Sequence, residues 1–248
     1  WENNRIALVK SGYRAITIDL PPFGFSQKPK NSSFSRTDQA KRILAVIKKM
    51  NINSFVLVSH SISGRAALEA SFLHMEKFKG LVLISTSSGI GLEKPISPSL
   101  SSQIFSIKIL RNIMMSIITN GLLTPLFLER IVFDPKSITK ELIKIFRKPF
   151  KVYESNERLG DWLNKMAFSP DPGFSARKEE YKKIKIPTLI VWGKEDTIIP
   201  LSEGQMLHKN IKNSKLKIFE KTNHAPHLEH SEKFNTLLIN FLKSLKLK

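Results

Sequence analysis

The chain of 248 residues contains no cysteine. That excludes a disulfide framework, a thiolate metal site and a cysteine nucleophile. No apolar run reaches the roughly 18 uncharged residues that a membrane-spanning helix needs. Acidic residues are scarce: 21 Asp and Glu stand against 40 Lys and Arg, a formal net charge of +19. Such a field attracts anionic partners. No long basic run or arginine/aromatic nucleic-acid motif accompanies it, so no nucleic acid is expected as a partner and the charge is expected to lie on solvated faces. Weak association with an anionic membrane surface stays open, as does the oligomeric state. The chain also starts at Trp1 without a methionine or a signal-like segment, so it is expected to be a fragment or a processed form. A cytoplasmic location is favoured.

Hydrophobic residues make up 41% of the chain and charged residues 25%, which is ordinary for a globular domain. The length suits one domain, with or without an insertion. Trp1 to Lys10 reads as a short helix stopped before Gly12, and Arg14-Ala15-Ile16-Thr17-Ile18-Asp19 as a strand. The prolines and glycine of Leu20-Pro21-Pro22-Phe23-Gly24-Phe25-Ser26 forbid its continuation. Ser35 or Thr37 is expected to cap a helix through Met50, with Ile43, Leu44 and Ile47 inward. Ser54 to Val58 is a strand and Ile62 to Met75 a helix; Gly80 to Ser85 is the next buried strand. Ile186 to Gly193 reads as a strand, Pro200 to His208 as a helix, Leu216 to Phe219 as a strand and Ser231 to Leu245 as a closing amphipathic helix. In the tail, Phe241 to Lys248 reads as the polar side of that last helix. Apolar strands separated by helices imply an α/β protein with a mostly parallel, doubly wound sheet covered on both faces.

From Ser87 to Arg177 the alternation is lost. Gln103 to Thr119 is apolar on more than one face, and Pro98, Pro125, Pro135, Pro149 and Pro170 cut the stretch into short helices. We read residues 87–177 as an inserted helical cap, with residues 1–86 and 178–248 forming the core.

The chemistry centres on Phe55-Val56-Leu57-Val58-Ser59-His60-Ser61-Ile62-Ser63-Gly64. An apolar β-branched run turns sharply into a helix with serine at the apex, the arrangement of a nucleophile elbow. The usual form is G-x-S-x-G, and here both glycines are serines. A serine hydroxyl needs a base, and the base needs a third group to fix its tautomer. Asp196 follows one strand end and His224 another, and Ser61, Asp196, His224 is the order expected with an elbow nucleophile. Other readings of these residues remain. Asp196 also suits a helix cap, and Glu195 is a rival acid. His224, His227, Glu229 and His230 could suggest a metal cluster, although their spacing matches no zinc pattern.

At this point the chain resembles cap-bearing α/β-hydrolases of the lactonase, esterase and C–C hydrolase kind. Gly12-Tyr13-Arg14 through Asp19-Leu20-Pro21-Pro22-Phe23-Gly24-Phe25-Ser26 resembles the family's G-Y-R-hydrophobic-D-L-P-G-F-G-x-S passage, with Pro22 where glycine is usual. Ser59-His60-Ser61-Ile62-Ser63-Gly64 resembles G-H-S-M-G-G. Gly193-x-x-Asp196-x-x-x-Pro200 and His224-x-x-His227-x-Glu229 are similar to the acid and histidine motifs. The resemblance implies Ser61 as nucleophile, His224 as base then acid, Asp196 as its orienter and the Ile62 N–H as an oxyanion donor. His60 packs under the elbow in such proteins; Phe23, Phe25 and His60 are candidates for the substrate pocket. A small-molecule ester or related carbonyl substrate is implied, with neither cofactor nor metal. A C–C bond hydrolase and a non-catalytic binding protein are the alternatives.

The family's H-G motif, which supplies a second oxyanion N–H, lies before the helix that begins near Trp1 and is absent here. So are the first three strands, the third of which would lie between Arg14–Asp19 and Ser54–Val58. The resemblance therefore implies an N-terminally truncated sheet: a fragment, or a catalytically impaired member.

Overall fold

The computed structural model describes residues 1–92, 106–120, 123–152 and 154–246. Four strands run parallel in the order β1-β2-β3-β4: β1 (Phe55–His60), β2 (Phe78–Ile84), β3 (Thr188–Gly193) and β4 (Ser214–Phe219). The two central strands are apolar at nearly every position because both of their faces are covered. Side chains alternate between those faces. Leu81, Leu83, Ile190 and Trp192 pack to one side, with Ala67, Leu68 and Leu207 from α3 (Ser63–Leu73) and the Leu201–Asn210 helix. Val82, Ile84, Leu189 and Val191 pack to the other, with Phe234 and Leu238 of the closing helix (Ser231–Ser244). Burial of each such side chain contributes about 1.5–3 kcal/mol. At the β4 edge, Lys215 and Lys217 are exposed, and charge on an edge strand discourages pairing with a second chain.

The first helix, α1 (Glu2–Lys10), lies against the closing helix, and α2 (Arg36–Lys49) lies against α3. Ser35 caps α2 by accepting the Asp38 N–H, and Ile43 and Ile47 point inward. Residues 14–19 depart from expectation. They form no strand, and none of their backbone groups pairs with β1. A cleft of about 510 Å³ is lined by Ile16 and Ile18 on one side and Val56 and Val58 on the other. Alternating apolar residues make a strand only when a neighbour lies within about 4.8 Å, and across this cleft none does. β1 is thus an edge of the described sheet.

Between β2 and β3 run α4 (Lys108–Ile118), α5 (Thr124–Arg130), α6 (Lys140–Arg147) and α7 (Ser155–Phe168). The prolines punctuate them as proline must. Pro125 opens α5, Pro135 opens a 3₁₀ turn, and Pro149 sits in the 3₁₀ turn that follows α6. Pro98, Gln103 and the terminal Leu247 and Lys248 lie outside the described residues. α4 is apolar on more than its packed side. Its inner side holds buried Met115 and Arg111, the latter bridged to Asp161 at 2.6 Å, and just past its end Thr119 bonds to Asn156 at 2.8 Å. Ile109, Ile113 and Ile117 are exposed. The whole segment is tied to the core where it leaves and rejoins it. Buried Arg36 donates to Gly89 O at 2.7 Å and pairs with Asp171 at 3.2 Å. The Glu69 carboxylate accepts the N–H groups of Phe174 and Ser175.

Candidate active site

β1 ends at His60, and Ser61 turns the chain with φ +56° before α3 begins at Ser63. The left-handed region costs a non-glycine residue on the order of 1–3 kcal/mol, so the surroundings must impose it. Ser61 N–H donates to Ile84 O at 2.9 Å, and Ser61 O accepts from Gly64 N at 3.0 Å and Ser87 N at 3.2 Å. The two serines that replace glycines are accommodated. The Ser63 hydroxyl donates to His60 O at 2.7 Å and accepts from His60 N at 3.2 Å, stitching the turn from within. Buried Ser59 donates to Val82 O at 3.4 Å. Gly64 cannot be replaced in the same way: a Cβ there would lie 2.0 Å from Thr86 Cγ2. The Ile62 N–H, at the head of α3, meets no backbone acceptor among the described residues.

Ser61 Oγ lies 2.8 Å from His224 Nε2, and His224 Nδ1 lies 3.1 and 3.0 Å from the two Asp196 oxygens. A carboxylate only accepts, so Nδ1 carries the imidazole proton and Nε2 presents its lone pair to the serine hydroxyl. Asp196 Oδ1 also accepts the N–H groups of Ile198 and Ile199, each at 2.9 Å. Burial alone would raise the Asp196 pKa. The hydrogen bonds from His224 and Ile199 and the proximity of the imidazole outweigh it, leaving the carboxyl below its ordinary value. Asp196 is thereby both a cap for the turn and the partner of the imidazole. Glu195 turns elsewhere, accepting the Thr222 N–H at 2.9 Å.

Beneath this row lies a second group of imidazoles. The His60 ring centroid is 4.8 Å from that of His224 and 4.5 Å from that of His227, which in turn stacks on Trp1 at 4.5 Å. His60 Nε2 lies 2.8 Å from His224 O. A carbonyl can only accept, so His60 Nε2 carries a proton and donates it. Burial, then the adjacent His224, pushes its pKa down to about 4. Burial likewise pushes His227 well below the usual imidazole range, with His60 adding to the effect. The residues of the possible metal cluster diverge. His227 stacks on aromatic rings, His230 meets Lys221 O at 3.3 Å, and Glu229 accepts backbone N–H groups.

A cavity of about 410 Å³ beside the elbow is lined by Phe23, His60, Ile62, Arg65 and Trp162 among others. The Phe23 and Trp162 rings meet edge-on, 4.8 Å between centroids. Phe25 is 66% exposed and lies outside that lining. Sequence reasoning missed Asn223, whose side chain joins the acid loop to the helical segment. Its Oδ1 accepts the Thr197 N–H at 2.9 Å, and its Nδ2 donates to Arg130 O and Val132 O at 3.1 and 3.3 Å. Its position directly before His224 is the one signal the sequence offers.

A profile of the alpha/beta hydrolase family matches residues 1–237. A 2-hydroxy-6-oxononadienedioate/2-hydroxy-6-oxononatrienedioate hydrolase of Escherichia coli (strain K12) is 30% identical over 249 residues, covering 98% of this chain and 82% of the relative. An uncharacterized hydrolase of Bacillus subtilis (strain 168), YugF, is 27% identical over 239 residues, covering 96% and 83%. Among solved structures, a serine hydrolase involved in carbazole degradation aligns with a TM-score of 0.76 at 22% identity, covering 98% of this chain and 84% of that one. A thermophilic esterase from Thermogutta terrifontis gives 0.74 at 20% identity, covering 99% and 85%. With a parallel sheet of this topology and a profile spanning nearly its whole length, the chain belongs to the alpha/beta hydrolase family and is a hydrolase.

Proposed function

We propose that the protein hydrolyses a carboxylic ester by acyl transfer, with Ser61 as nucleophile, His224 as general base and acid, and Asp196 as the group that fixes the imidazole. The observation that carries this reading is the 2.8 Å contact between Ser61 Oγ and His224 Nε2 at a serine held with φ +56°. In the forward step the hydroxyl proton passes to Nε2 as Oγ attacks the carbonyl. The imidazolium then returns that proton to the departing alkoxide. Water repeats the sequence on the acyl-enzyme and releases the acid. The Ile62 N–H stabilises the oxyanion, and one such donor is worth about 100- to 1,000-fold in turnover. Residues 87–177 act as the cap, and the cavity bounded by Phe23, Ile62 and Trp162 receives the acyl or aromatic part of a small-molecule substrate.

A fluorophosphonate probe tests the reading: it should label Ser61 in the folded native gene product, and Ser61→Ala should abolish the label. No labelling of the folded protein would refute it. A p-nitrophenyl ester series of increasing acyl length then measures the pocket. The same triad on a vinylogous diketone is the second reading, favoured by the 2-hydroxy-6-oxononadienedioate hydrolase that is 30% identical. Turnover of a diketone without turnover of any ester would select it. We also propose that the basic surface and the outward isoleucines of α4 give weak, salt-sensitive association with anionic lipid. Co-sedimentation with phosphatidylserine vesicles, with phosphatidylcholine vesicles alongside, checks this.

A further inference from the structure

Four consecutive residues of the helical segment, Arg130 to Phe133, contribute their main chain to the loop that carries His224. His224 N–H donates to Ile131 O at 3.0 Å. Asn223 Nδ2 donates to Arg130 O and Val132 O, and Phe133 N–H donates to Glu229 Oε2 at 2.5 Å. Glu229 Oε1 accepts the Asn223 N–H at 2.9 Å, and Asn223 Oδ1 takes the Thr197 N–H one residue beyond Asp196. The carbonyls at the end of a helix lack intrahelical partners. Here the last residue of α5 and the two after it find them in the base loop. Asn223 is buried, and Val132 is 3% exposed, so water competes poorly for these bonds. The His224 peptide is held from both sides, its N–H by Ile131 and its C=O by His60.

We infer that Arg130–Phe133 is a fixed strut of the catalytic centre, and that Asn223 and Glu229 are the positioning residues that lock it to His224 and Asp196. The inserted segment is then part of the machinery that aims the base, in addition to any role as a lid. This inference rests on the acyl-transfer reading above. It requires that loosening the strut misaim His224 without removing any reacting group. A misplacement of about 1 Å costs on the order of 100-fold in rate.

The test compares the native protein with Asn223→Ala, which changes no charge, and Glu229→Gln, which keeps the volume but sets an amide N–H against a backbone N–H. Fluorophosphonate labelling of Ser61 is followed against pH, normalised to titrated sites, while thermal unfolding and the low-field proton NMR signal of the His224–Asp196 hydrogen bond are recorded on the same samples. Both variants should label about 10- to 100-fold more slowly, with a displaced pH profile and a shifted or broadened low-field signal. If either variant lowers the melting temperature but labels at the native rate per site, with the native profile and signal, the residues are merely structural and the strut is refuted. A change in Glu229→Gln alone is a charge effect and also refutes it. Failure of the native protein to label is a different outcome: it removes the acyl-transfer reading, and the strut with it.

Discussion

Acidification should destabilise this protein through His60. His60 is neutral in the folded chain, donating from Nε2 to His224 O, and its pKa is pushed down to about 4. In the unfolded chain an imidazole titrates near about 6.5. Below that value the unfolded state binds a proton that the folded state refuses. Stability therefore falls as pH drops from about 6.5 towards about 4, at up to about 1.4 kcal/mol per pH unit. At about pH 5 the folded ring is still neutral, so the loss reaches about 2 kcal/mol. This is an upper value, because the ring is only half-buried and solvent screens part of the charge. Against a total stability of about 5–15 kcal/mol, that is readily measured. Urea unfolding at neutral pH and at about pH 5 should be compared for the native protein and His60→Gln. The glutamine amide can donate to the same carbonyl but cannot titrate, so its loss between the two pH values should be smaller by up to about 2 kcal/mol. Equal losses in the two proteins, or a folded-state His60 resonance titrating near about 6.5, would refute the argument.

Other substitutions probe the site from its remaining sides. Asp196→Asn should keep the acceptor for Ile198 and Ile199 but turn an NH₂ towards His224 Nδ1; the wrong tautomer should cut p-nitrophenyl acetate turnover about 10⁴-fold. Gly193→Ala places a Cβ 1.9 Å from Asn223 O; overpacking of this kind should cost about 1–3 kcal/mol in urea unfolding and slow Ser61 labelling as well. Ser63→Ala removes the hydroxyl that bridges His60 N and O; a loss of about 1 kcal/mol with labelling nearly intact is expected, and an unchanged urea midpoint would deny the hydroxyl its place in the turn.

What could be read from the sequence follows from how locally each feature is determined. The central strands were legible because Leu81–Ile84 and Leu189–Trp192 are unbroken apolar runs. The α2 cap was legible because Ser35 needs only the Asp38 N–H three residues on. That Ser61, Asp196 and His224 lie past strand ends was legible because an apolar run stops shortly before each. Residues 14–19 were misread because alternation records which face is apolar and is silent on whether a neighbouring strand is present. Glu195 and Asp196 could not be separated by spacing; only the direction of each side chain, to Thr222 or to His224, divides them. The serines flanking Ser61 looked like defects because the sequence cannot show that the Ser63 hydroxyl bonds back across the turn.

The strand order itself explains why the His224 loop needs so many supports. Ser61 follows β1 and His224 follows β4, at opposite edges of the four-stranded sheet. Three strand spacings separate those edges by about 14 Å, yet Ser61 Oγ and His224 Nε2 are 2.8 Å apart. The loop after β4 must therefore run back across the end of β3. It passes so close to Gly193 that no side chain fits there. Such a path is not held by its own sequence, since residues 220–225 form no regular element. It is held by His60 from below, by Glu195 and Glu229 at its backbone N–H groups, and by Arg130–Val132 from the helical segment between β2 and β3. The segment between β2 and β3 is well placed to supply the last of these, because it leaves and rejoins the sheet at strands that the loop must cross. The geometry of this row is thus set less by Ser61, Asp196 and His224 themselves than by the groups that route one loop over β3.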